Sequence, residues 1–164
     1  MTTTTPKYMA VQAAALLVAG GFLVIGVLGF IPGATTDYDL LEWSGHHSGA
    51  KLFGIFAISG LHNIVHLVSG VVGVALARTY AASRAYFLGG GLVYLAIWLH
   101  GLFMDQSSRT NLLPVNGADN WLHFGLGVGM VLLGLTLAGQ RDPTKRRPRT
   151  RKQARGSQRK GNGA

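Results

Sequence analysis

Hydrophobic residues in this chain gather into four long blocks separated by short polar stretches. Residues 8–31 are apolar apart from Gln12 and stop at Pro32-Gly33. Residues 52–77 lie between Lys51 and Arg78, residues 81–104 carry Arg84 in their first turn, and residues 118–139 close at Arg141. About 20 mostly apolar residues are needed to cross the hydrocarbon core of a bilayer, and each block meets that length. A soluble bundle would show a polar stripe along every helix. The first block has only Gln12, and the fourth, past His123, only Thr136. The pattern predicts an all-α membrane protein, a four-transmembrane-helix bundle over residues 8–140. A short N-terminus (residues 1–7) precedes it and a tail (residues 141–164) follows.

Charge turns this pattern into a topology. Only 13% of residues are charged, about half the usual quarter of a soluble domain. Residues 141–164 hold ten Lys/Arg and one acid (Asp142), a net of +9, while residues 1–140 hold five bases and five acids. The whole net charge therefore belongs to the tail. Short loops rich in Lys and Arg stay in the cytoplasm. Lys7, the Arg78–Arg84 connection and the tail accordingly place both termini inside. The two outer loops carry Asp37, Asp39 and Glu42, then Asp105, Arg109 and Asp119, and Trp43 and Trp121 suit an outer interfacial belt. The expected location is the bacterial inner membrane, multi-pass, N-in and C-in. The first block is too long for the apolar core of a cleaved signal peptide, so it reads as a retained helix. With no cysteine in the chain, disulfides and thiolate chemistry are excluded.

The second and fourth blocks share a motif. Asn63-Ile64-Val65-His66 followed by Gly70 matches Asn120-Trp121-Leu122-His123 followed by Gly127. Both blocks run from outside to inside, so the match suggests two parallel-related helical hairpins, helices 1–2 and 3–4, about a pseudo-twofold axis along the membrane normal. The first and third blocks align loosely through Gly20-Gly21 and Gly90-Gly91. Small residues four apart (Gly125 and Gly129; Ser69, Gly73 and Ala77) suit close helix packing in lipid.

Together, Leu52-Phe53-Gly54-Ile55-Phe56, Leu61-His62-Asn63-Ile64-Val65-His66 and Ala118-Asp119-Asn120-Trp121-Leu122-His123 resemble a bacterial, largely actinobacterial, membrane family catalogued as domain of unknown function 4383. The resemblance spans about residues 9–139. It implies a four-helix integral membrane protein and brings no activity, substrate or cofactor with it.

Polar side chains at membrane depth are each a functional hypothesis. His62 and His66 lie on one helix face, four residues apart, with Asn63 and Asn120 three residues before His66 and His123. Measured from the outer boundaries, His123 is shallowest, then His100, then His62, with His66 deepest at about 20 Å from Leu52 at 1.5 Å per residue. Measured from the cytoplasmic arginines, His66 is twelve residues from Arg78 and His123 eighteen from Arg141, a stagger of about 9 Å. The first reading is structural: Asn63, His66, Asn120 and His123 act as interhelical hydrogen-bond glue. The alternatives are bis-histidine haem ligation by a pair drawn from His62, His66, His100 and His123, a transition-metal site on His62, His66 and one partner, and a proton or small-solute path. The stagger argues against shared coordination. No nucleophile elbow, phosphate loop or metalloprotease motif is present. The expectation is a structural or interaction protein, not an enzyme, with no cofactor and no metal.

Residues 141–164 have no large apolar side chain and cannot bury a core. Arg141, Lys145, Arg146, Arg147, Arg149, Arg151 and Lys152 suit contact with anionic phospholipids, where each base contributes about 1 kcal/mol. Nucleic acid is the weaker alternative, because no aromatics are interleaved for base stacking. A homo-oligomer is compatible with the glycine-rich faces.

Overall fold

The computed structural model describes residues 9–45, 47–103 and 113–137. The chain is mostly helical, with α1 (Ala10–Leu28), α2 (Gly60–Leu76), α3 (Tyr80–Phe103) and α4 (Gly117–Thr136). The α1 helix packs antiparallel along α2 and α3 along α4, and the two hairpins join chiefly through α3, which also meets α1 and α2. Their shared core holds Val11, Ala15, Phe22, Ala77, Tyr86, Phe87, Tyr94 and Met130.

The helix ends have identifiable causes. Ser59 caps α2, its hydroxyl accepting from the His62 N–H at 3.1 Å, and Thr79 Oγ1 accepts from the Ala82 N–H at 3.2 Å as α3 begins. Asn116 and Asp119 form a capping box at α4: Asn116 Oδ1 accepts from the Asp119 N–H at 3.0 Å, and Asp119 Oδ2 accepts from the Asn116 N–H at 2.9 Å. Gln12, the lone polar residue of the first apolar block, is buried because it has work at a helix end. Its Nε2 donates to the Ala77 and Arg78 carbonyls at 3.1 and 3.0 Å, and its Oε1 accepts from the Met9 N–H at 3.0 Å. It therefore satisfies carbonyls that the end of α2 leaves orphaned.

The second apolar block is not helical throughout. Residues 51–57 form two strands of a three-stranded antiparallel sheet, β1 (Thr35–Thr36), β2 (Lys51–Leu52) and β3 (Phe56–Ala57), with Thr35 paired to Leu52 and Leu52 to Phe56. Helix α2 thus starts at Gly60, not at residue 52, and the chain is not purely α. The cause is local: Phe53 (φ +53°) and Gly54 (φ +72°) turn the chain back in the left-handed region, and Ser59 then supplies a cap. Helix α1 ends at Leu28 instead of residue 31, giving way to a turn at Gly29-Phe30. Helices α3 and α4 start within one residue of expectation. Residues 1–8, 104–112 and the basic tail lie outside the described residues.

Two helices, α1 and α3, are long and apolar enough to cross a membrane, and α2 is a shorter apolar helix. The outer faces are strongly apolar: Leu17 and Val24 on α1, Val68, Val71 and Val72 on α2, Leu92 and Phe103 on α3, and Leu132 and Leu135 on α4 are all exposed. The interior, by contrast, holds Gln12, Ser59, His62, Asn63, His66, Ser83, Asp119, Asn120 and His123.

Candidate functional site

The shortened α2 helix brings the histidines level. His66 lies six residues after Gly60, and His123 six after Gly117, so both stand about 9 Å into their helices at 1.5 Å per residue. The stagger expected from the sequence is absent. His62, His66 and His123 are 4, 6 and 3% exposed, and each offers a ring nitrogen within 4.8 Å of the others. Ring centroids are 4.7 Å apart for His62–His66 and 5.8 Å for His62–His123. The Nδ1 atoms of all three have no hydrogen-bond partner among the described residues. His100 stands apart, exposed near the end of α3, and His46 lies outside the described residues.

The internal repeat explains why these side chains converge. Helix α2 maps onto α4 by a shift of 57 positions (Asn63 to Asn120), and α1 onto α3 by a shift of 72 (Gly29 to Gly101), with contacts duplicated along both. The Asn63 amide sits against Gly29 and the Asn120 amide against Gly101, each in space that a Cβ would occupy. Phe22 stacks on His66 with centroids 5.9 Å apart, and Tyr94 meets His123 at 5.7 Å. Leu23 lies against Gly70 and Leu95 against Gly127. Phe22 and Tyr94 are each other's mates and stack at 5.2 Å, 3° from parallel, as expected of residues straddling a pseudo-twofold axis. The shift of 72 replaces the alignment of Gly20-Gly21 with Gly90-Gly91, which is two positions out of register. Among the small-residue faces, Gly73 packs against Ala19 and Tyr86, whereas Gly125 and Gly129 face open space.

The same mapping finds a residue that sequence reasoning placed in a loop. Ser59 and Asn116 are equivalent caps, so His62 is equivalent to Asp119. Asp119 is 2% exposed. Its Oδ2 accepts from the Ala57 N–H at 2.9 Å as well as from Asn116, and Asn116 Nδ2 donates to the Ile55 carbonyl at 2.7 Å. The start of α4 therefore holds the β2–β3 turn of the other hairpin over the histidines. The signal was present in the sequence: Ser-x-x-His-Asn-x-x-His at 59–66 parallels Asn-x-x-Asp-Asn-x-x-His at 116–123.

Two small cavities adjoin the histidines. One, of about 10 Å³, touches Tyr94, Ile97, Leu113 and Val115 as well as all three histidines. The other, of about 60 Å³, is walled by the sheet residues Leu52 and Phe56, by Ile58 and Leu122, by Asp119 and by the same histidines. A cofactor-sized pocket is roughly 300–1,000 Å³, so a porphyrin does not fit here, although a single ion does. Neutral imidazoles are good ligands for zinc, copper and iron, and three of them with a water is an established coordination set. Toward the other end of the bundle, the stacked Phe22–Tyr94 pair and the core around Ala15, Phe87 and Met130 close the axis.

No curated protein and no solved structure matches the chain significantly. Residues 12–136, nearly the whole helical region, match the sequence profile of one family. The chain belongs to that family, the domain of unknown function DUF4383.

Proposed function

We propose that this is an integral membrane protein of four spans that binds a transition-metal ion through His62, His66 and His123, close to its outer face. The observation that carries the reading is the set of three buried imidazole nitrogens within 4.8 Å of one another. His62 reaches the backbone of Ala57 and Pro114, but the Nδ1 atoms of all three rings have no hydrogen-bond partner among the described residues. Unsatisfied buried polar atoms are costly, and an ion held among these rings would engage one nitrogen of each. The closed axis beyond the site favours binding over conduction. Among the described residues no arrangement of nucleophile and base accompanies the triad, and the reading is of a binding protein.

The membrane assignment rests on the apolar exterior. Apolar side chains cover the outside of all four helices, while the buried polar residues sit inside beside an apolar core, which suits a lipid solvent. The 17-residue α2 spans about 25 Å, and the sheet and Trp43 extend that hairpin toward the outer interface. Loop charges orient the bundle with both termini in the cytoplasm, which places the sheet and the histidines at the outer end. At the opposite, inner end, the tail from Arg141 onward would lie on anionic lipid.

Both parts are open to direct tests. Cysteines introduced at the exposed Asp39 and at Ser157 should label from opposite sides of the membrane, and labelling of both from outside would overturn the topology. Purified full-length protein dialysed against Zn²⁺, Co²⁺ or Cu²⁺ should retain one ion per chain. A folded wild-type protein that retains none would end the metal reading.

A further inference from the structure

Three protein ligands leave a tetrahedral ion one position short, and closed structural sites use four. We propose that the fourth position is kept open to the 60 Å³ chamber, and that it takes solvent water. The inference rests on the metal-binding reading above and adds the identity of the fourth ligand.

Asp119 is the nearest candidate for a fourth protein ligand, and the geometry employs it elsewhere. Its carboxylate is not among the groups that converge within 4.8 Å, and its Oδ2 already accepts from Ala57 and Asn116. It does border the chamber. Asp119 and His123 stand four apart on α4, on the same helix face, so a hydrogen-bond acceptor lies on the wall beside the ion. The remaining wall of Ile25, Leu52, Phe53, Phe56, Ile58 and Leu122 has apolar side chains, which offer the ion no donor atom. One water needs about 10–15 Å³ of such space, so the chamber has room for a metal-bound water and a few more. A water bound here would give its protons toward a carboxylate and its lone pair to the metal. Three protein ligands plus a water is the arrangement of reactive zinc sites, as opposed to purely structural ones.

The test is pulsed EPR on full-length, Cu²⁺-loaded protein in detergent exchanged into D₂O. Two signals are read from the same sample. Nitrogen modulation from remote imidazole nitrogens reports the histidine ligands, and strong deuterium modulation reports inner-sphere water. The expected result is both signals in the wild type. In Leu122→Trp, which fills the chamber, the deuterium signal should be lost while the imidazole signal persists and shows that the site has formed. Ile58→Phe, from the opposite wall, should give the same loss if the tryptophan variant does not fold. Imidazole modulation without inner-sphere deuterium in the wild type would show a closed site and overturn this inference while leaving the metal reading intact. Bound copper without imidazole modulation, or no bound copper, would overturn both.

Discussion

The two hairpins of this bundle are built to one plan and differ where it matters most. In each, an asparagine seats against a glycine of the partner helix, Asn63 on Gly29 and Asn120 on Gly101. In each, a histidine three residues after the asparagine faces an aromatic ring near the axis. Half the plan is then broken: the first hairpin places His62 where the second places Asp119. The imidazole joins the three-histidine cluster, whereas the carboxylate binds backbone N–H groups and clamps the sheet. The shared parts keep two helices close, and the exchanged position separates coordination from closure.

That comparison can be broken most severely at the shared histidines. His66→Ala or His123→Ala should each weaken Cu²⁺ or Co²⁺ binding by at least a hundredfold, about 3 kcal/mol at 1.4 kcal/mol per tenfold, as measured by competition with a chelator. Equal effects from the two hairpins are expected, because each supplies a ligand from an equivalent position. A loss confined to one variant would contradict a site built from both halves.

Next come the glycine seats. Gly29→Ala and Gly101→Ala put a methyl group into the space of the Asn63 and Asn120 amides, and overpacking of this kind costs about 1–3 kcal/mol. Unfolding in mixed detergent should show similar losses for both, with partial recovery when Asn63→Ala or Asn120→Ala is added to the matching variant. The asymmetric position should behave differently. Asp119→Ala removes a capping box and the bond to Ala57, a loss of about 2 kcal/mol, and hydrogen exchange at residues 51–58 should rise. His62→Ala should lower metal affinity and, because its ring also reaches the Ala57 backbone, raise exchange in that segment less than Asp119→Ala does. The smallest effect is expected at Gln12→Ala, about 1 kcal/mol, seen as faster exchange at the α2–α3 turn.

Much of this architecture was legible in the chain, and the failures have a single origin. Four helical blocks and the Asn-x-x-His repeat could be read from apolar blocks and motif spacing, and Gln12 stood out as the one polar residue of the first block. The start of α2 could not, because hydropathy averages over residues 52–59 and hides their punctuation. Gly54 and the Ser59-Gly60 pair mark a turn and a cap, while Leu52, Phe53, Ile55, Phe56 and Ile58 keep the segment apolar. That error of eight residues moved His66 too deep and separated it from His123, which made shared coordination look unfavourable. Asp119 was missed for a related reason. A carboxylate beside a predicted loop reads as solvated, and its burial depends on a contact with Ala57, 62 residues away in the chain. His100 was a candidate of the same residue type, but it lies exposed near the end of α3, on a face turned away from the cluster.

The central claim, that one chain gathers His62, His66 and His123 around one ion, is tested most directly by X-ray absorption on the purified, zinc-loaded protein. The account predicts three imidazole ligands per zinc, recognisable by their outer-ring scattering, with a count that drops to two in His62→Ala. Zinc held without that scattering, or with a count unchanged in His62→Ala, would place the ion elsewhere and contradict the account.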